Sequence, residues 1–465
     1  MQTADTPPRW KLNLTSSTYI PIMQYCKVRS TREHLYRAKE SLCCKGGKFD
    51  NMELMDQILS LRAERATLSK HSCYLNYVLK DRMVKNAQTL EEFFNTLKSS
   101  LKQPVLNIRH KLEQLALSDG LSKLESWDIH YYKRILKNEN FPFDEQEFRP
   151  YFEFQSTMKG VFKLCEELFG IKVEAQGTAD AFHPDITVYK VYSKNELKGW
   201  LYVDPYARAA KSQGAWALSY TPQSNDFSLK PHVGIHFNFS PPTKTQPSLL
   251  VFSDVLTVFH EFGHALHGLL SNVRYPSSEG MNVALDFVEL PSQLLENFAW
   301  EIPMIQSMAS HYQTGEPIPE SMLKQLKDSS SYDRDWGAAR TAAFALMDKK
   351  LHETATLPED LRKLEAECNE EFGMLPMPEQ CYFLPTFDHV FGGEYAAGYY
   401  SYLWAEVLDA DVFDAYKNSK NPKEFAKTYR DTILSAGSSR KEDESYRILM
   451  GREPDSKAFL KRILS

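Results

Sequence analysis

The sequence has no apolar run approaching the ~18 residues that a membrane helix needs. Its first residues, Met1 to Trp10, lack the basic start and apolar stretch of a signal peptide. They also lack the Arg-rich amphipathic texture of a transit peptide. There is no basic surplus: the formal net charge is −6, so nothing steers the chain toward nucleic acid or an anionic membrane. No Cys-x-x-Cys pair occurs. The seven cysteines (Cys26, Cys43, Cys44, Cys73, Cys165, Cys368 and Cys381) are odd in number and irregular in spacing. That argues against a disulfide framework or a thiolate metal site and fits a reducing cytoplasm. Asn13-Leu14-Thr15 has the form of a glycosylation acceptor, read as a chance match in a chain without a secretory route. Repeats and low-complexity tracts are missing too.

What is present is the composition of a soluble globular protein, 42% hydrophobic and 25% charged. At 465 residues the chain is too long for one small core, so one large domain or two closely joined lobes are expected. Residues 1–9 read as a disordered tip. From about Ser30 to Leu121, apolar residues recur at helical spacing, as in Met52, Met55, Ile58, Leu59 and Leu61, which predicts two or three long amphipathic helices. A Pro- and Phe-rich turn region follows at 138–150, then helix at 152–169. The texture then changes to short alternating runs at 186–192, 200–203, 215–220 and 233–239, punctuated by Asp204, Pro205, Gly214, Pro222 and Pro241. These predict one small sheet. From Leu249 onward the pattern is helical again. The division expected is a helical lobe over 1–150 and a catalytic region over 151–465.

The chemistry concentrates just after the sheet. Residues Leu249 to Leu270 carry Val251, Phe252, Val255, Leu256, Phe259, Phe262, Leu266 and Leu269 on a helical period. On such a helix His260 and His264, four residues apart, share one face and reach one zinc ion. Glu261, in the sequence His260-Glu261-Phe262-Gly263-His264, can act as general base on a metal-bound water and pass its proton to the leaving amine. His267 is rotated off that face, and a catalytic zinc keeps an open position, so His267 reads as structural or supporting. A third ligand is needed. Asp286-Phe-Val-Glu289-Leu-Pro-Ser-Gln293 reads as the start of a second helix, with Asp286 near the N-cap and Glu289 in the first turn. Glu289 is the leading ligand. A capping box with Asp286 is its bland alternative, and Glu279 and Glu296 compete for the role.

These residues resemble the thimet oligopeptidase family of zinc metallopeptidases. The resemblance is carried by His260-Glu-Phe-Gly-His264-Ala-Leu-His-Gly, by Asp286 to Gln293, and by His389-Val-Phe-Gly-Gly-Glu-Tyr395-Ala-Ala-Gly-Tyr399-Tyr400-Ser-Tyr402-Leu-Trp404. It extends upstream through Gly214-Ala-Trp216 to about Trp10. Phe169-Gly-Ile-Lys, Tyr206-Ala-Arg-Ala-Ala-Lys-Ser and Arg274-Tyr-Pro look most similar to the bacterial dipeptidyl carboxypeptidase branch, with oligopeptidase A close behind. The resemblance implies a mainly α fold: two helical lobes flanking a deep substrate channel, one small β-sheet near the active site, and a zincin-like catalytic core. It implies one zinc ion per chain, held by His260, His264 and Glu289. His389, Tyr395 and Tyr402 fall where the family binds substrate and stabilises the oxyanion, and Tyr399 lines the same surface. Neutral hydroxyl and imidazole donors suit that task. Tyr400 reads as helix packing. Gly392, Gly393 and Gly398 give the segment freedom to close. Gly214 and Ala215 can present a strand edge to a peptide backbone.

Three departures stand out. Family members usually carry a longer N-terminal helical region. Glu394 stands where a glycine is common. Leu285 replaces an arginine frequent in the dipeptidyl carboxypeptidase branch. The reading that results is zinc-dependent hydrolysis of short peptides, favouring release of C-terminal dipeptides. An endo-acting oligopeptidase and a truncated, catalytically silent peptide-binding member are the alternatives. Short peptides are the expected partners, with no nucleic acid or membrane, and the chain is expected to be a monomer.

Overall fold

The computed structural model describes residues 12, 14–141, 145–177, 181–212, 214–330 and 332–464. The tip at 1–9 and Asn13 lie outside the described residues. The fold is mainly helical with one small sheet, as the sequence implied. The chain divides into two compact units. The first comprises Met1–Tyr77, Glu91–Pro142 and Asp335–Tyr399; the second comprises Val78–Leu90, Phe143–Arg334 and Tyr400–Ser465.

Among its described residues the first unit has no strand. The helical periodicity of the front segment becomes Arg29–Glu40, Met52–Leu68, Tyr74–Leu79 and Ala87–Ser118. Met55, Leu59 and Ala66 bury one stripe of the helix Met52–Leu68, the spacing that a 3.6-residue period demands. One core of the unit packs Tyr19, Met23, Leu35, Tyr36, Trp127 and Cys381 together. Its charged centre is Asp128, fully buried, which accepts from Arg29 and Arg32 at 2.7 and 2.8 Å. A buried carboxylate needs that pairing to offset its lost hydration.

The second unit holds a five-stranded sheet: β1 Ile171–Gly177, β2 Thr187–Ser193, β3 Glu196–Tyr206, β4 Trp216–Thr221 and β5 His232–Phe239. The strand order is β1-β2-β3-β5-β4, with β3 and β5 parallel and every other pair antiparallel. Four strands match the alternating runs in the sequence. The first, β1, lies outside those runs. Its residues do alternate, Ile171, Val173 and Ala175 with Lys172, Glu174 and Gln176, but only Ile171 is buried and the run follows the end of a helix directly. The helix Phe154–Phe169 ends at Gly170, whose φ of +65° is the left-handed conformation that a glycine adopts cheaply at a helix end.

The helix Phe252–Leu269 packs on β3, β4 and β5 and along the helix Leu290–Ala299. Phe252, Val255, Val258, Phe259, Phe262, Ala265, Leu266 and Leu269 are buried, so the apolar stripe that predicted this helix is the face that enters the core. Each such side chain contributes on the order of 1.5–3 kcal/mol when fully removed from water. The polar residues of the motif are thereby fixed by a helix that has little freedom to rotate.

Candidate active site

Opposite that apolar stripe, His260 and His264 project from consecutive turns. Their Nε2 atoms lie 3.2 and 3.1 Å from one carboxylate oxygen, Oε2 of Glu289. Ligand atoms of all three residues lie within 4.8 Å of one another. Glu289 sits at the break between two helices, after Leu285–Val288 and immediately before Leu290–Ala299. Ser292 holds it there, donating to the Glu289 main-chain carbonyl at 2.9 Å and to Oε2 at 2.8 Å.

The close approach of the two helices depends on Gly263, between the histidines. A β-carbon at that position would stand 2.5 Å from the Pro291 carbonyl oxygen and 2.5 Å from the Ser292 Cα. No other residue type lets the backbones meet at this distance, and this contact brings Glu289 to the histidines.

Two imidazole nitrogens and one carboxylate oxygen form a three-ligand set typical of catalytic zinc, which leaves a position open for substrate or water. Ligand atoms around a tetrahedral zinc stand about 3.4 Å apart, given bonds of about 2.0–2.2 Å. The 3.1 and 3.2 Å separations seen here are close to that. The local field also favours a cation. Burial opposes charge on His260, but Glu289 and Glu296 outweigh it and raise its pKa well above the ordinary value. Burial likewise opposes ionisation of Glu289, yet His264 and His260 hold its carboxyl well below the usual range. The residues therefore fit a divalent metal.

Glu296 lies outside that group; its Oε1 meets Nδ1 of His260 at 2.7 Å. Such a contact keeps the proton on Nδ1 and directs the Nε2 lone pair toward a metal. The sequence held a signal for it: Glu296 stands seven residues, two helical turns, beyond Glu289. Glu279, the other competitor, is buried among Met281 and Gly268, away from the ligand group. His267 is also buried outside that group, and burial, with His264 adding to it, pushes its pKa down to about 3.

Glu261 is buried, and its Oε2 has no hydrogen-bond partner among the described residues. Burial raises its pKa, while His264 and His260 pull the other way. A buried carboxylate oxygen without a partner, next in sequence to His260, is chemically able to accept a proton.

The Asp286 capping reading does not hold. Its carboxylate accepts from the Met83 and Val84 amides at 2.9 and 3.1 Å and from the Tyr400 hydroxyl at 3.0 Å. Tyr400 is correspondingly buried, in keeping with its reading as a packing residue. Tyr402 is half-buried at the start of the helix Ser401–Asn418, where its carbonyl accepts from Gln293 Nε2 at 3.2 Å. Gln293 lies one turn beyond Glu289, so Tyr402 is tied to the ligand helix.

Gly214 and Ala215 precede β4, an edge strand of the sheet. Gly214 has a φ of +89°, and Asn238 Nδ2 donates to the carbonyls of Ser212 and Gly214 at 2.8 and 2.7 Å. His389, Tyr395 and Tyr399 belong to the first unit. There they form a ring cluster of their own, with centroids 5.8 Å apart for His389 and Tyr395 and 5.5 Å for His389 and Tyr399. Phe387 supports Tyr399 edge-on at 4.7 Å.

With this geometry in place, comparison with known proteins decides the family. The model of Peptidase family M3 matches residues 22–464. The chain belongs to Peptidase family M3. Oligopeptidase A of Escherichia coli is 34% identical over 462 residues, which span 97% of this chain and 68% of that protein. Dipeptidyl carboxypeptidase of Escherichia coli is 30% identical over 457 residues, 96% of this chain and 66% of that protein. Both branches suggested by the motifs are thus represented, with the higher identity on the oligopeptidase A side. Among solved structures, PZ peptidase A with inhibitor 2 superposes with a TM-score of 0.61 at 16% identity, covering 96% of this chain and 70% of that one, a likeness of fold. As a member of family M3 the chain is a metallopeptidase, an enzyme that hydrolyses peptides. No helix among the described residues of this M3 peptidase is long and apolar enough to cross a membrane.

Proposed function

We propose that the chain hydrolyses short peptides with one zinc ion held by His260, His264 and Glu289, and that it favours release of C-terminal dipeptides. The convergence of two imidazoles and one carboxylate next to the unpartnered oxygen of Glu261 carries this reading. Bound there, zinc would supply a Lewis acid that polarises the scissile carbonyl and acidifies water. Glu261 takes the proton from the attacking water as its oxygen bonds to the carbonyl carbon. As the C–N bond breaks, Glu261 delivers that proton to the leaving nitrogen, and amine and carboxylic acid products balance. Glu296 keeps His260 in the tautomer that offers Nε2.

His389, Tyr395 and Tyr402 act as neutral donors to the negative charge that develops on the carbonyl oxygen, and Tyr399 lines the substrate surface. Motif position supports these roles. Gly214 and Ala215 pair with the peptide backbone, a role supported by the edge position of β4. The seven unpaired cysteines support a reducing compartment such as the cytoplasm. The working unit is taken to be the monomer.

A second reading, internal cleavage by an endo-acting oligopeptidase, is favoured by the higher identity to oligopeptidase A. The test is metal analysis joined to a quenched-peptide assay on the chain and on Glu261→Gln. One zinc per chain in both, with hydrolysis lost in the variant, is the expected result. Equal activity in the two would overturn the role of Glu261. Products from an N-terminally blocked peptide separate the two modes: successive C-terminal dipeptides for the first, internal fragments for the second.

A further inference from the structure

Residues 389–399 carry three of the proposed substrate-facing side chains, yet they include Gly392, Gly393 and Gly398 and contain little regular helix. Something must hold such a segment in one shape. Inside the first unit the holding group is Asp348, on the helix Arg334–His352 and only 1% exposed. Its Oδ1 accepts from the Ala397 amide at 2.9 Å and its Oδ2 from the Tyr399 amide at 3.0 Å. Ala397 has a φ of +54°, a left-handed conformation that its β-carbon disfavours. Backbone turned this way points neighbouring amides into a shared concavity that takes an anion, and the carboxylate fills it.

A second grip starts from the same residue. Nδ1 of His352 lies 2.8 Å from the Asp348 carbonyl oxygen and 2.9 Å from its Oδ1. With the proton on Nδ1, Nε2 is free to accept from Arg62, 3.0 Å away. The other guanidinium nitrogen of Arg62 donates to the Val390 carbonyl at 2.7 Å. The segment is thus held beside His389 and again at Tyr399. Between the grips, the Tyr395 amide donates to the His389 carbonyl at 3.0 Å and the Gly398 amide to that of Tyr395 at 2.9 Å.

We propose that Asp348 is a positioning residue for peptide hydrolysis, fixing His389, Tyr395 and Tyr399 through their backbone, with His352 and Arg62 as its second hold. This rests on the reading that residues 389–399 meet the substrate. An ordinary core carboxylate would affect folding alone. A positioning residue must affect turnover through the residues it aims.

The test uses the full zinc-loaded chain and Asp348→Asn, which keeps the side-chain shape but can accept only one of the two amides. Expected results are full zinc content, faster amide hydrogen exchange over 389–399, and a kcat lowered by about 10²-fold with a much smaller change in KM. In a Tyr395→Phe background the same substitution should cost far less, because the aimed hydroxyl is already gone. Unchanged kcat in Asp348→Asn, or losses that multiply fully in the double variant, would overturn the proposal. If Asp348→Asn does not fold, Arg62→Gln replaces it under the same criteria. Should Tyr395→Phe and His389→Gln both leave hydrolysis intact, the underlying reading of the segment fails, and the inference falls with it.

Discussion

Gly263 of the motif helix lies directly against the backbone of Ser292, with room for a hydrogen and none for a methyl group. The relationship couples a fold contact to the metal site, since Ser292 is the residue that holds Glu289.

Gly263→Ala is therefore expected to damage the site despite favouring the helix. Alanine raises helix stability by about 1 kcal/mol over glycine. Against this, the new β-carbon would meet the Pro291 and Ser292 main chain at 2.5 Å, and backbone cannot rotate away as a side-chain tip can. Overpacking of this kind costs about 1–3 kcal/mol or more, so the clash wins. Denaturant unfolding should reveal a lower midpoint, and a metal titration should reveal weaker binding. A variant with unchanged metal affinity would mean that the helix contact does not set the position of Glu289.

The contact between Glu296 and His260 makes a second, separable prediction. Removing it in Glu296→Ala frees the ring to rotate and to change tautomer. Losing a partner of this kind typically weakens metal binding by about 10–100-fold. Glu296→Gln keeps an acceptor oxygen for Nδ1–H and should fall between the two. The measurement is zinc affinity by competition with a chelator, which needs no turnover. Equal affinity in all three proteins would sink the tautomer argument.

How far the sequence reached is clear from these same residues. The paired histidines were legible because helical spacing is local: four residues apart on an amphipathic helix means one face. The third ligand was not settled by spacing, because Glu279, Glu289 and Glu296 are all acidic and all nearby in the chain. Only packing separates them. Gly263 lets Glu289 approach both histidines, Glu296 meets the other ring nitrogen of His260, and Glu279 is buried outside the group of His260, His264 and Glu289. Asp286 misled for a related reason. Its spacing from Glu289 has the form of a capping box, but its partners, Met83, Val84 and Tyr400, are more than a hundred residues away in either direction. The hold of Asp348 on Ala397 and Tyr399 is likewise a long-range contact with no periodic trace. The helical character of the front segment and four of the five strands followed from patterning, and β1 was missed although it alternates, because it is a short, mostly exposed edge strand that begins directly after a helix.

Glu279 supplies a prediction on stability alone. It is 1% exposed, its Oε2 has no partner among the described residues, and burial pushes its pKa up to about 7 while the Met281 amide pulls modestly the other way. An unfolded glutamate titrates near 4.3. The folded pKa is the higher one, so the carboxyl is protonated in both states well below the unfolded value and contributes no penalty there. As pH rises through the window from about 4.3 to about 7, the unfolded chain releases the proton first and folding stability falls, at roughly 1.4 kcal/mol per pH unit at most for this one group. Glu279→Gln keeps the shape of the neutral acid and cannot ionise. The variant should match the parent below about pH 4 and exceed it near pH 8, with the gap opening across that window in denaturant midpoints taken at several pH values. A gap of constant size at all pH values would show that Glu279 stays ionised in the folded chain.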